Sequence, residues 1–268
     1  MKKEEVEKLT VALGLTRGIV GVRLLFIKEE YDAYDAEEPS GRCSFCGFVM
    51  QAMNGKSLKV NDPLFSCPGA PGLFGMRPEG NYFASGKHSE NTRLYEDMAI
   101  SRKVHAEMGQ IKQKIYGMAI APLSCMERAD IVIFMCDTWQ LMRVMQGYTY
   151  HRGTAENIRM IGNQGICADL AARPYFNNDL NISVLCAGAR IRTQATNSEM
   201  GVGLPMNLFE DLVDGVVQTI NPAMSKKEKE ALAARMGDKN IFGFEIEYNK
   251  FYPSYDKEWP YSMDMYDR

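Results

Sequence analysis

The feature that most constrains this chain is an internal echo. The stretch Cys46-GFVMQAMNGKSLKVNDPLFS-Cys67-Pro-Gly-Ala70 returns as Cys167-ADLAARPYFNNDLNISVL-Cys186-Ala-Gly-Ala189. In each, a cysteine opens a short helix, a polar turn follows, and an apolar run leads into a second Cys-x-Gly-Ala. The intervening residues number twenty and eighteen. Leu94-Tyr-Glu-Asp-Met98 likewise returns as Leu208-Phe-Glu-Asp-Leu212, and the offsets of 121, 119 and 114 drift as insertions would make them. Repeats decide architecture. The echo predicts two similar α/β halves, 14–116 and 117–222, packed about a pseudo-twofold axis. An N-terminal helix over 1–13 precedes them, and a C-terminal helix with an extended arm over 223–268 follows. The competing reading is one irregular α/β domain with two similar turns. Both place the chain in the α/β class.

Local signals fill in that outline. Residues 4–13 are amphipathic and stop at Gly14; 19–27 is apolar enough for a buried strand. Helical spacing runs over 92–111, strands are predicted at 116–121 and 131–136, and a helix at 141–150. A Gly/Pro-rich loop follows Cys67. Ser225 with Glu228 makes a capping box for a helix ending near Gly237. The tail from Phe244, rich in Tyr, Pro and Asp, predicts an arm lying over the surface or over a second copy of the chain, a route to a homo-oligomer.

Composition excludes several classes. The 268 residues allow one or two domains, and 46% hydrophobic with 24% charged residues is ordinary globular composition. Lys and Arg total 31 against 34 Asp and Glu, a net charge of −3, so the basic excess of a phosphate-backbone binder is missing. No apolar run approaches the ~20 residues needed to cross a bilayer. The start MKKEEVEK has no apolar core behind it, which argues against a secretory signal. The expectation is a soluble cytoplasmic protein that binds neither nucleic acid nor membrane.

Seven cysteines in such a chain, an odd number in a reducing setting, argue against a disulfide framework. Metal or cluster ligation, thiol chemistry and burial remain. A pseudo-twofold would bring Cys46, Cys67, Cys167 and Cys186 together at the seam between halves. Four convergent thiolates are the ligand set for a [4Fe–4S] or [2Fe–2S] cluster. Gly69 and Gly188 would let backbone amides approach its sulfides. Zinc is the metal alternative. Cys43-Ser-Phe-Cys46 is a C-x2-C pair, but no second pair completes a zinc ribbon. Cys125 and Cys136, in or beside apolar segments, are read as core, and the 18 methionines as a soft core.

Polar residues near the cysteines complete the candidate site. Arg190 follows Cys186 by four residues and offers a planar fork to a substrate carboxylate or phosphate. The alternative is an Arg190–Glu199 ion pair tying a hairpin. Asp137, Trp139 and Gln140 follow a buried strand, where α/β proteins place ligand contacts; Gln140 is the cofactor-binding candidate among them. His151 could move a proton at neutral pH, or simply cap its helix.

These residues resemble a known pattern. Leu13-Gly-Leu15 leading to Val20-Gly-Val22, Cys46, and Cys67-Pro-Gly-Ala70 with Gly72-Leu73 begin it. Ala121-Pro-Leu123, Gln140-Leu-Met-Arg143, Tyr150-His-Arg-Gly153, Cys167-Ala-Asp169, Cys186-Ala-Gly-Ala-Arg190, and Glu199 before Leu204-Pro205 continue it. Together, over roughly 10–222, they resemble the archaeal and bacterial family known as domain of unknown function 169. The resemblance implies that Cys46, Cys67, Cys167 and Cys186 are the family-type cysteines, and that Cys43, Cys125 and Cys136 are particular to this chain. The family pattern reads Gly-Asp-Arg where this chain has Gly188-Ala-Arg190, so no proton-transfer role for that acid carries over. The family has no settled activity.

Three functions follow from these readings. The leading one is an oxygen-sensitive iron–sulfur oxidoreductase acting on a small anionic or aromatic substrate, with a ferredoxin-like electron donor. Cluster-assisted dehydration or hydrolysis is its variant. The second is a non-catalytic metal- or ligand-binding protein, a sensor or cofactor carrier. The third is a thiol enzyme using Cys67 or Cys186 as nucleophile. No G-x-G-x-x-G after a strand and no G-x4-G-K-[ST] is present, which leaves a flavin open but without motif support.

Overall fold

A computed structural model of the chain describes residues 2–250. Its centre is one antiparallel sheet of six strands: β1 (Val20–Leu25), β2 (Leu58–Asn61), β3 (Gly117–Pro122), β4 (Ile131–Cys136), β5 (Asn181–Ser183) and β6 (Met200–Pro205). The spatial order is β2-β3-β1-β4-β6-β5. From one edge it reads second, third, first of β1–β3; from the other it reads second, third, first of β4–β6. β1 and β4 meet antiparallel in the middle. β3 and β6 each end in proline, Pro122 and Pro205, and pass straight into a 3-10 turn. A duplication requires this strand order, and the order alone does not establish one. Because β3 pairs with both β1 and β2, the three-stranded unit extends past residue 116.

Period-two burial explains how the strands serve two layers. Val20, Val22 and Leu24 of β1, Met118 and Ile120 of β3, and Ile131, Ile133 and Met135 of β4 face one core. The Phe45–Met53 helix contributes Phe45, Phe48 and Val49 to it, and the Gly165–Ala172 segment contributes Ile166 and Leu170. Val132, Phe134 and Cys136 of β4 and Val202 and Leu204 of β6 face the opposite core. There the helices Lys2–Leu13, Thr138–Arg152, Phe209–Gln218 and Lys226–Met236 cover the sheet. Every residue of β4 is buried, which is why its sequence, IVIFMC, is apolar without alternation. None of the helices among the described residues is long and apolar enough to cross a membrane.

Several expectations need adjustment. The helix expected over 92–111 is confined to Met98–Ala106. Asp97 caps it by accepting from the Ile100 amide at 2.8 Å, and Arg93 just before it has φ 52, which no helix continues through. Cys136 is core, as expected, but Cys125 is exposed at the end of a 3-10 turn. The Ser225–Glu228 capping box is present and its helix stops at Gly237. Of the tail, Phe244 and Ile246 pack on the helix-covered core of this same chain; the remainder of the expected arm, 251–268, lies outside the described residues.

Candidate functional site

Cys46, Cys67, Cys167 and Cys186 line a single cavity of about 220 Å³. Two come from each side of the sheet's midline, and each side delivers its pair in the same way. Cys46 lies in the first turn of Phe45–Met53, whose N-cap Ser44 accepts from the Gly47 amide at 3.2 Å. β2 follows, and Cys67 comes just before the Gly69–Leu73 helix. Cys167 lies in Gly165–Ala172, which is wound as a π-helix, a form that recurs at functional sites. β5 follows, and Cys186 then caps Ala187–Thr193, its Sγ accepting from the Ala189 amide at 3.4 Å.

Close backbone approach holds the second pair. A Cβ on Gly203 would lie 2.0 Å from the Leu170 carbonyl oxygen, so only glycine lets β6 sit directly under the π-helix. Leu185, just before Cys186, carries φ 67, a conformation that side chains rarely adopt and that typically costs ~1–3 kcal/mol.

The thiols sit in a low-dielectric setting. Burial pushes the Cys46 thiol up to about 12, and Cys186 and Cys67 nearby push the same way. Cys167 is 4% exposed, and burial raises it well above its ordinary value, with Cys46, Cys67 and Cys186 adding to the effect. The Cys167 thiol faces the Gln164 carbonyl at 3.6 Å. All seven cysteines are free. Cys43 does not line the cavity; it is bridged to Phe65, with its amide donating to the Leu64 carbonyl at 3.0 Å.

Gly69 and Gly188 line the cavity with the thiols. The other sequence candidates do not. Arg190 donates to the carbonyls of Val184, Thr196 and Glu199, at 2.8 to 3.2 Å. The Glu199 carboxylate pairs with Arg17 instead, Nη2 to Oε2 at 3.0 Å, and accepts from the Thr196 amide at 2.7 Å. The Arg190–Glu199 tie is therefore side chain to backbone, and both residues brace the loop beside the site. His151 is half exposed near the end of its helix and paired with Asp214 at 2.7 Å. Gln140 completes the capping box of Thr138–Arg152 and donates to the Leu13 and Gly14 carbonyls. Trp139 donates to Glu228.

Residues that sequence reasoning passed over take their places. Phe83, His88, Gln164 and Arg192 line the cavity. Arg192 was within reach of a helical argument, because it lies four residues after Gly188 on the same face. His88 lies in a polar stretch, GKHSEN, that carries no pattern.

Four thiols and one imidazole, that of His88, line this cavity. Among the described residues, no three His, Cys, Asp or Glu side chains gather tightly enough to hold a single metal ion.

Comparison with known proteins agrees with the sequence pattern. A family model described as uncharacterised ArCR, the domain of unknown function 169, matches residues 8–215. The uncharacterised protein MJ0308 of Methanocaldococcus jannaschii is similar, 26% identical over 223 residues that cover 80% of this chain and 93% of the relative. No solved structure matches. The family match takes in all six strands and all four cavity cysteines, and the chain belongs to the domain of unknown function 169 family.

Proposed function

We propose that this protein holds an iron–sulfur cluster, [4Fe–4S] in the simplest case, through Cys46, Cys67, Cys167 and Cys186. The observation that carries the reading is the meeting of these four thiols in one cavity, two from each three-stranded unit. The burial of Cys167 also suits a cluster, since burial is one of the levers that set its potential. Bound, such a group supplies one-electron transfer or a Lewis-acidic iron. The chain's own residues would hold it, and Phe83, His88 and Arg192, which line the same cavity, would meet a small molecule there. An oxidoreductase fed by a ferredoxin-like donor is the reading we favour. A non-catalytic carrier or sensor is the second reading. It is favoured by the engagement of Arg190, Glu199 and His151 elsewhere, which leaves His88 as the one histidine at the cavity.

The test is purification and reconstitution without oxygen, followed by iron and sulfide analysis and electron paramagnetic resonance of the reduced protein. Broad absorption near ~400 nm with matched iron and sulfide is expected. Serine at any of the four cysteines should abolish or sharply lower iron content. Wild-type protein that takes up zinc but no iron and sulfide would overturn the cluster.

A further inference from the structure

The Ala187–Thr193 helix carries two arginines whose fates differ. Arg190 points away from the cavity and spends its guanidinium on three backbone carbonyls. Arg192 lines the cavity on the face it shares with Gly188 and Ala189, as three- and four-residue spacing on a helix requires. It has no ion pair and no hydrogen bond among the described residues. No Asp or Glu lines the cavity to neutralise it.

Across the same cavity, His88 lies stacked on Phe83, ring centroids 4.6 Å apart and planes 25° from parallel. Its Nδ1 is buried and has no hydrogen-bond partner. A proton there would be an unsatisfied buried donor, so the neutral ring carries its hydrogen on Nε2. Burial, and next the neighbouring His105, hold the ring below its ordinary basicity. Nε2 is the ring nitrogen left able to meet a ligand.

Gly188, one turn before Arg192, is exposed, and a Cβ built on it meets no atom within 4 Å. We infer that Arg192 and His88 form a subsite for the carboxylate of a small organic acid in the wall of the four-thiol cavity. The guanidinium fork matches a planar carboxylate in two parallel hydrogen bonds. The His88 Nε2–H is a further donor, and the Phe83–His88 stack gives the rest of the molecule an apolar wall. This deepens the cluster reading by naming the class of molecule that would reach the metal. The subsite itself uses none of the thiols.

The test is isothermal titration of the protein as purified with malonate, 2-oxoglutarate and benzoate, and with sulfate as a non-planar oxyanion, at constant ionic strength. One-to-one binding of at least one carboxylate, tighter than sulfate, is expected. Arg192→Gln should weaken it about ten-fold or more, as loss of a charge-assisted fork does, with melting temperature and iron content unchanged. His88→Phe should weaken it less. Gly188→Leu, which fills open space on a helix, should block binding in a folded protein. The inference is overturned if no carboxylate binds, if sulfate binds as well as the carboxylates, or if Arg192→Gln binds like wild type. Should the protein take up no iron, the cluster reading falls, and the same titration of metal-free protein still decides the subsite.

Discussion

Gly165 and Leu185 touch backbone to backbone: a Cβ on Gly165 would lie 2.7 Å from the Leu185 Cα and 2.8 Å from the Cys186 amide nitrogen. This contact joins the start of the π-helix that carries Cys167 to the residue that caps the next helix with Cys186. The spacing of the second thiol pair is therefore set by the absence of one methyl group.

Gly165→Ala should force these two segments apart. A loss of ~1–3 kcal/mol is expected, as for overpacking elsewhere, together with lower metal uptake. Gly188→Ala, with open space around it, should leave stability unchanged or raise it slightly, because alanine is the better helix residue by ~0.5–1 kcal/mol. Urea unfolding of the two variants, paired with iron analysis, makes the comparison.

The cysteines outside the cavity should behave differently from those within it. Cys136 is 1% exposed in β4, so Cys136→Ser buries a hydroxyl in an apolar strand and should cost ~1–3 kcal/mol. Cys125→Ser, at an exposed position, should change stability by no more than ~0.5 kcal/mol. Both should keep wild-type iron and sulfide content. A loss of iron in either variant would move a ligand out of the cavity.

Glu199 should make the fold acid-sensitive. Burial acts to raise its pKa, but the Arg17 hydrogen bond and the Thr196 amide outweigh it and hold the carboxyl below its ordinary value of 4.5. A depressed folded-state value means that the stabilisation is present above about pH 4.5. It is lost as pH falls through that depressed value. Glu199→Gln should lower stability at pH 7 by ~1.5–3 kcal/mol, the range for a hydrogen-bonded charge, and the gap to wild type should close on acidification. Denaturation curves at pH 7 and pH 3.5 read both effects.

Lys229 should tether the C-terminal segment. It is fully buried in the Lys226–Met236 helix, and its ammonium donates to the carbonyls of Asn221 and Glu247, both at 2.7 Å, and of Lys250. Lys229→Met keeps most of the volume and removes all three bonds, leaving the Glu247 carbonyl only the Lys250 amide as a donor. Faster proteolysis within 238–250, with the sheet core still resistant, is the expected outcome. Unchanged cleavage would assign the tether to Phe244 and Ile246 instead.

Much of this fold was legible in the sequence, and the reason is burial. β1, β3 and β4 are apolar because both or one of their faces are covered, so composition marks them. The Ser225–Glu228 capping box is local chemistry and reads directly, whereas the Asp137–Gln140 box, equally local, reads as ligand contacts. β5 and β6 were not legible: β5 has only three residues, and β6, MGVGLP, alternates glycine with apolar residues because the π-helix crosses it. At the site, the cysteines announced themselves by repetition. The arginine did not, because Arg190 and Arg192 are two residues apart and only the helix phase separates a brace from a cavity wall. Glu199 and His151 are good candidates by residue type, and both are taken by tertiary partners that no local pattern encodes.

The central ladder between β1 and β4 has a consequence for how the protein comes apart. It holds three residue pairs, Val20 with Ile133, Gly21 with Val132 and Val22 with Ile131, whereas β1–β3 and β4–β6 hold six each. The midline is thus as short a ladder as the β5–β6 edge, which also holds three pairs, and the cavity thiols come from segments on both sides of it. A ligand gripped there by cysteines from both sides would act as a stitch. With it, the two three-stranded units should melt as one cooperative body; without it, hydrogen exchange should resolve them into separate foldons, each opening at its own free energy.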